Sequence, residues 1–109
     1  MIRVVVGRDF TGKIERVEIH GHANFGDPGT DIVCAAVSVL SRNTVSSIRE
    51  LLGVDIRVKS RPGYLQVDLP PLLQSDQVQL LLRCLLHGLE NLAMEFPENV
   101  QVQSSVSPI

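Results

Sequence analysis

His22 and Cys34 are the residues of this chain whose types and spacing can do chemistry. A histidine gives and takes a proton near neutral pH, and a cysteine is a nucleophile as its thiolate. The histidine stands in Gly21-His22-Ala23, and the cysteine in Asp31-Ile32-Val33-Cys34-Ala35-Ala36-Val37-Ser38. Between them, Asn24, Phe25, Gly26, Asp27, Pro28, Gly29 and Thr30 read as an irregular loop. One short stretch therefore holds a candidate nucleophile, a candidate base and a loop with two glycine hinges, Gly26 and Gly29. The chemistry this suits is attack on a carbonyl, with the imidazole shuttling the proton.

The surroundings of Cys34 decide whether that chemistry is available. With Asp31 as N-cap, Cys34 is the third residue of a helix, beside unpaired backbone N–H groups. Free thiols titrate near 8.5, and a helix N-terminus contributes only ~0.3–1 kcal/mol, so a thiol there stays mostly protonated at pH 7. A cationic partner has to do the rest, and His22 is the candidate. The helix N–H groups are also candidate donors to an oxyanion. Asp31 has three readings: helix cap, partner that orients His22, or contact to substrate. Ser38 follows Cys34 by one helical turn on the same face and can hydrogen-bond thiolate, imidazole or substrate. Gly21 allows close backbone approach, and Ala35 and Ala36 keep the helix shoulder low.

Structural readings stand beside these. A cysteine in an apolar helix is commonly a small buried hydrophobe, and a histidine at a strand end is commonly a surface residue. Spacing alone supports both equally. Cys84 and His87, three apart on a Leu-rich helix, are two metal-ligand types, but two ligands do not make a site, so packing is the favoured reading and no metal is expected. Cys84 is expected to be buried. His20 reads as structural.

The elements that must position these residues follow from periodicity. Residues 2–8 and 14–20 are rich in Val and Ile around Asp9-Phe10-Thr11-Gly12-Lys13, which predicts a hairpin. In the second strand Val17 and Ile19 face one way, and Arg16, Glu18 and His20 the other. Residues 31–52 predict a helix with a buried stripe of Val33, Val37, Leu40, Thr44, Ile48 and Leu51, capped by Thr30 or Asp31 and followed by Gly53. Val54, Ile56 and Val58, then Arg61-Pro62-Gly63, then Leu65, Val67 and Leu69 predict a second hairpin, which Pro70-Pro71 ends. Residues 75–95 predict a second helix, capped by Ser75 or Asp76, stopped by Pro97 and largely buried because its leucines cover more than one face. Val100 and Val102 predict a short last strand, with Ser104 to Ile109 frayed. The order ββαββαβ implies an α+β, two-layer sandwich with a mixed β-sheet and two helices on one face.

The totals agree with one domain spanning 1–109. Hydrophobic residues are 44% of the chain, enough for a small core that a dimer interface would help to complete. Aromatic residues are only 4% and Trp is absent, which leaves no stacking platform for single-stranded nucleic acid. The net charge of −2 and the lack of a Lys/Arg run argue against direct nucleic-acid binding. No stretch is apolar enough for a membrane span, and the start carries no signal-peptide pattern. Two cysteines make no disulfide framework, so the expected setting is cytoplasmic with free thiols.

The run Gly21-His22-Ala23 followed by Asp31-Ile32-Val33-Cys34-Ala35-Ala36-Val37-Ser38 closely resembles the signature of the ribosomal-processing cysteine protease Prp family. The resemblance covers nearly the whole chain. It implies a small cytoplasmic cysteine endopeptidase, homodimeric and without a cofactor. Its substrate would be a ribosomal protein precursor: the N-terminal extension of large-subunit ribosomal protein twenty-seven is removed. His22 and Cys34 match the family's catalytic pair, and Gly21, Asp31 and Ser38 match its other motif positions. Asn24 to Thr30 match the mobile segment over its site. Two other readings remain open at this level. One is a non-enzymatic peptide-binding adaptor in ribosome biogenesis. The other is a thiol redox protein, which a buried Cys84 would leave without a resolving partner.

Overall fold

The computed structural model describes residues 1–23, Gly26 and residues 31–106. Its elements are β1 (Ile2–Arg8), β2 (Ile14–His20), α1 (Ile32–Leu51), β3 (Arg57–Arg61), β4 (Tyr64–Asp68), a 3-10 turn (Pro71–Leu73), α2 (Asp76–Glu95) and β5 (Val100–Val106). The strands form one mixed sheet in the order β3-β4-β2-β1-β5. Among the described residues only the β1–β5 pair is parallel. This is the α+β architecture expected from the alternating patterns.

Register explains how the sheet becomes amphipathic. Val4 pairs with Ile19 and Val102, and Val17 pairs with Val6 and Val67. Paired residues share a face, so Val and Ile from separate strands make one apolar surface. Both helices contribute to the same buried cluster, through Val33, Val37 and Ile48 of α1 and Val78, Leu82, Leu85 and Leu89 of α2. The opposite rows carry Arg16, Glu18, His20, Tyr64, Gln66 and Asp68. His20 therefore lies where its alternation put it, meeting Glu18 at 3.2 Å and the Tyr64 ring edge-on.

The first hairpin closes through a β-bulge: Gly7 pairs with Arg16 and Arg8 with Ile14, which leaves Glu15 as the extra residue. A buried side chain from α2 seals the bulge. Gln79 Oε1 accepts from the Ile14 N–H at 2.8 Å, and Gln79 Nε2 donates to the Ile14 carbonyl at 2.8 Å. No periodicity signals this, because a polar residue in a buried stripe reads as a defect until its partners are known.

Several expectations are corrected. Leu51, expected in the buried stripe, is 78% exposed, while Ser41 is buried with its hydroxyl donating to the Val37 carbonyl at 2.7 Å. Val54 to Ile56 are not strand. The Val54 N–H bonds the Ile48 carbonyl, and Arg49 Nη2 donates to the Ile56 carbonyl at 3.0 Å, so the segment is folded onto the helix end. α2 is amphipathic rather than largely buried: Leu80 is 56% exposed, and Cys84 and His87 lie on its exposed face. One layer of neighbours covers one stripe of a helix, and residue 84 stands about 200° round from buried Leu82. Ser104 to Val106 continue β5 in parallel pairing with Val6 to Arg8 instead of fraying.

Candidate active site

His22 reaches the site because Gly21 follows the end of β2. That residue has φ +91°, which an L side chain rarely adopts, and a Cβ there would collide with the Met1 carbonyl oxygen. The Gly21 N–H donates to the Gly63 carbonyl at 2.8 Å, tying the end of β2 to the turn of the β3–β4 hairpin. The His22 ring then lies against Gly63, where a Cβ would come within 3.0 Å of Nε2. Gly63 itself has φ +72°, so glycine both makes the turn and leaves room for the imidazole. The Met1 amine donates to the His22 carbonyl at 2.6 Å.

Cys34 is placed by the first turn of α1. Asp31 is the N-cap, and its Oδ1 accepts from the Val33 and Cys34 N–H groups, both at 3.0 Å. Of the three readings for Asp31, the cap is the one this geometry displays. It also engages N–H groups that were candidate oxyanion donors. The Val33 and Cys34 N–H groups are bound to Asp31 Oδ1, and the Ala35 N–H to the Asp31 carbonyl at 3.1 Å. The backbone donor aimed at the sulfur comes from elsewhere: the Ala23 N–H, 3.2 Å from Cys34 Sγ.

Ala23 is buried, and its carbonyl accepts from Asn99 Nδ2 at 2.9 Å. Asn99 in turn accepts the Ile2 N–H at its carbonyl, 2.8 Å away, just before β5 begins. Sequence reasoning missed Asn99. A lone Asn after Pro97 reads as a turn residue, and its partner lies 76 positions away.

One open cavity of about 450 Å³ has Gly21, His22, Cys34 and Ser38 all in its wall. Arg42 of α1 and Arg61, Gly63 and Tyr64 of the second hairpin also line it. The hairpin residues were also unforeseen as site residues, since Pro62-Gly63 announces only a turn. Arg61 stacks over the Tyr64 ring at 4.1 Å. Of the expected substrate loop, only exposed Gly26 is among the described residues; Asn24, Phe25, Asp27, Pro28, Gly29 and Thr30 lie outside them. Cys34 and Cys84 are both free thiols. Among the described residues no three His, Cys, Asp or Glu side chains gather as a metal site would require.

A histidine and a cysteine in the wall of one open cavity, with a backbone donor on the cysteine sulfur, are parts of thiol-dependent acyl transfer. A family profile described as cysteine protease Prp matches residues 1–101. The chain belongs to the Prp cysteine protease family. The ribosomal processing cysteine protease Prp of Bacillus subtilis is 27% identical over 97% of this chain and 99% of its own length. Its counterpart from Staphylococcus aureus strain Mu50 is 31% identical, over 94% of this chain and 97% of its own. The crystal structure of an essential ribosomal processing protease Prp from S. aureus, with a covalently linked product peptide, superposes with a TM-score of 0.91. It is 28% identical and covers 96% of this chain and 100% of that one. The Prp likeness thus includes the strands, both helices and the segment that carries His22 and Cys34.

Proposed function

We propose that this Prp-family protease removes the N-terminal extension of large-subunit ribosomal protein twenty-seven, with Cys34 as nucleophile and His22 as acid and base. The observation that carries the reading is that His22 and Cys34 share the wall of one cavity, with the Ala23 N–H 3.2 Å from Cys34 Sγ. The Cys34 thiolate attacks the scissile carbonyl carbon, and its sulfur–carbon bond forms as the carbonyl π pair moves to oxygen. His22 protonates the departing amine as the carbon–nitrogen bond breaks, leaving a thioester. Water, deprotonated by His22, then releases the carboxylate and restores the thiol. The Ala23 N–H is the donor beside the reacting sulfur. Asp31 acts through the helix cap, and Ser38 stands one turn from the nucleophile as a polar contact for substrate.

The test is incubation with the ribosomal protein precursor, read as intact mass. Wild type is expected to shorten the precursor, Cys34→Ala to leave it whole, and His22→Ala to slow cleavage about 10²–10⁴-fold. Precursor left whole by wild type and Cys34→Ala alike overturns the substrate assignment, and single-turnover cleavage by wild type rules out a purely binding adaptor. The same reading takes the protein as a cytoplasmic homodimer without cofactor. Sedimentation is expected to give a species of twice 12.0 kDa; one of 12.0 kDa overturns the dimer.

A further inference from the structure

The sheet face turned away from the helices carries a charge that the chain as a whole does not. Register sets its side chains in rows across the strands. Arg3 pairs with His20, His20 with Tyr64 and Tyr64 with Arg61. In the next row Glu18 pairs with Gln66 and Gln66 with Lys59. In the one after, Arg16 pairs with Asp68 and Asp68 with Arg57. Residues two apart on a strand share a face, so the three rows make one surface. The residues between them, Val4, Val6, Val17, Ile19 and Val67, lie in the core with the helices.

Five cations, Arg3, Arg16, Arg57, Lys59 and Arg61, stand on this face with two carboxylates, Glu18 and Asp68. The face is therefore +3 in a chain of net −2, and still +2 when Glu15 of the bulge, which borders it, is counted. Arg16 engages both carboxylates, Asp68 at 2.6 Å and Glu18 at 3.5 Å. The excess falls at the rim, where Arg57, Lys59 and Arg61 are exposed, alternate residues of the edge strand β3. They repeat every ~7 Å, an interval close to that between phosphates of an extended nucleic-acid strand. An open hollow of about 740 Å³ has Arg16, Arg57, Lys59 and Asp68 in its wall. At one end of the rim Arg61 lies over the Tyr64 ring, 4.1 Å from its centroid, and His20 meets that ring edge-on at 5.0 Å.

We propose that this face binds single-stranded RNA, with the β3 cations on the phosphates and the Tyr64–Arg61 pair stacked against a base. Phosphate contacts supply the affinity of such sites, and aromatic rings and guanidinium planes take unstacked bases. An acidic polypeptide would match the charge but has no base to stack on Tyr64 and Arg61. The net charge of the chain hides this surface because its cations are scattered along the sequence and only strand pairing gathers them. Arg61 and Tyr64 also line the cavity of Cys34, so a bound strand lies at the edge of that cavity. The binding goes beyond the protease reading and does not depend on it.

The test is fluorescence anisotropy with a labelled twelve-nucleotide uridine RNA. Four phosphate contacts, from Arg3, Arg57, Lys59 and Arg61, give a slope of about −3 for log affinity against log salt, so going from about 50 to about 200 mM salt weakens binding about fiftyfold. Arg57→Glu combined with Lys59→Glu leaves the cavity of Cys34 untouched. It is expected to lose at least about tenfold in affinity at low salt and to flatten the slope by about 1.4. Arg83→Glu, on the exposed side of α2, is expected to stay within about twofold of wild type. No binding by wild type overturns the proposal, as does an equal loss with Arg83→Glu. Polyglutamate of the same length bound as tightly as the RNA assigns the face to an acidic protein instead. A change of sedimenting mass in the double variant assigns it to contact between copies of the chain, which overturns the RNA site as well.

Discussion

At the scale of single residues, the backbone of Ala23 is held at both its N–H and its carbonyl. Its N–H meets Cys34 Sγ and its carbonyl meets Asn99 Nδ2. A donor to a thiolate is useful only when it is aimed, and a charge-assisted bond of this kind is about twice as strong as a neutral one. Asn99→Leu removes the outer tether while keeping similar bulk. Iodoacetamide modification of Cys34 at pH 7 is expected to slow about fivefold. Loss of the fold would instead expose the thiol and raise its reactivity, and an unchanged rate at pH 7 would show that Asn99 does not orient the donor. Gly21 and Gly63 act at the same scale by omission, since each leaves the volume that another group of the site occupies.

At the scale of elements, the bulge of the first hairpin and the face of α2 depend on one another through Gln79. Its amide satisfies both backbone groups of Ile14, and all of these atoms are buried. Gln79→Leu is expected to cost about 2–4 kcal/mol, since it strands a buried donor and a buried acceptor. Gln79→Glu keeps the acceptor for the Ile14 N–H but not the donor to its carbonyl. Urea denaturation should show both midpoints lowered, and a Gln79→Leu midpoint equal to wild type contradicts the assignment. The hairpin, the helix and their order were all legible from periodicity. This link was not, because it joins positions 65 apart.

At the scale of the whole molecule, the sheet face without helices is a charged surface assembled from distant segments. Arg16 Nε donates to Asp68 Oδ1 at 2.6 Å, Gln66 Nε2 donates to Asp68 Oδ2 at 2.7 Å, and Tyr64 donates its hydroxyl proton to Gln66. Burial works against the Asp68 charge, but the bonds from Gln66 and Arg16 and the charges of Arg16 and Lys59 outweigh it. Its carboxyl is held below the ordinary 3.8. Asp9, bonded by Thr11 and Lys13, is lowered as well. A depressed carboxylate stabilises the fold above its unfolded pKa and loses that contribution as pH falls through the lower folded value. Stability is therefore expected to fall as the pH drops below 3.8. Asp68→Asn should flatten that fall in a thermal-melt series, by less than about 1 kcal/mol because Arg16 is half exposed. An Asp68→Asn series parallel to wild type contradicts the coupling.

The sequence alone determined what is local and periodic. Strand alternation, helical stripes, a helix cap at Thr30 or Asp31 and the turns at Gly12 and Gly63 are choices between neighbouring residues, and these make the ββαββαβ order readable. The motif around His22 and Cys34 was equally local, because its parts lie within one stretch of chain. Tertiary structure decided what depends on which surfaces meet. It placed Cys84 and Leu51 in solvent, bound the first helix N–H groups to Asp31, and brought Asn99 and Gly63 to the site. Periodicity tells which residues share a face, but burial and hydrogen-bond partnership depend on what arrives to cover that face. Here the covering segments come from the other end of the chain.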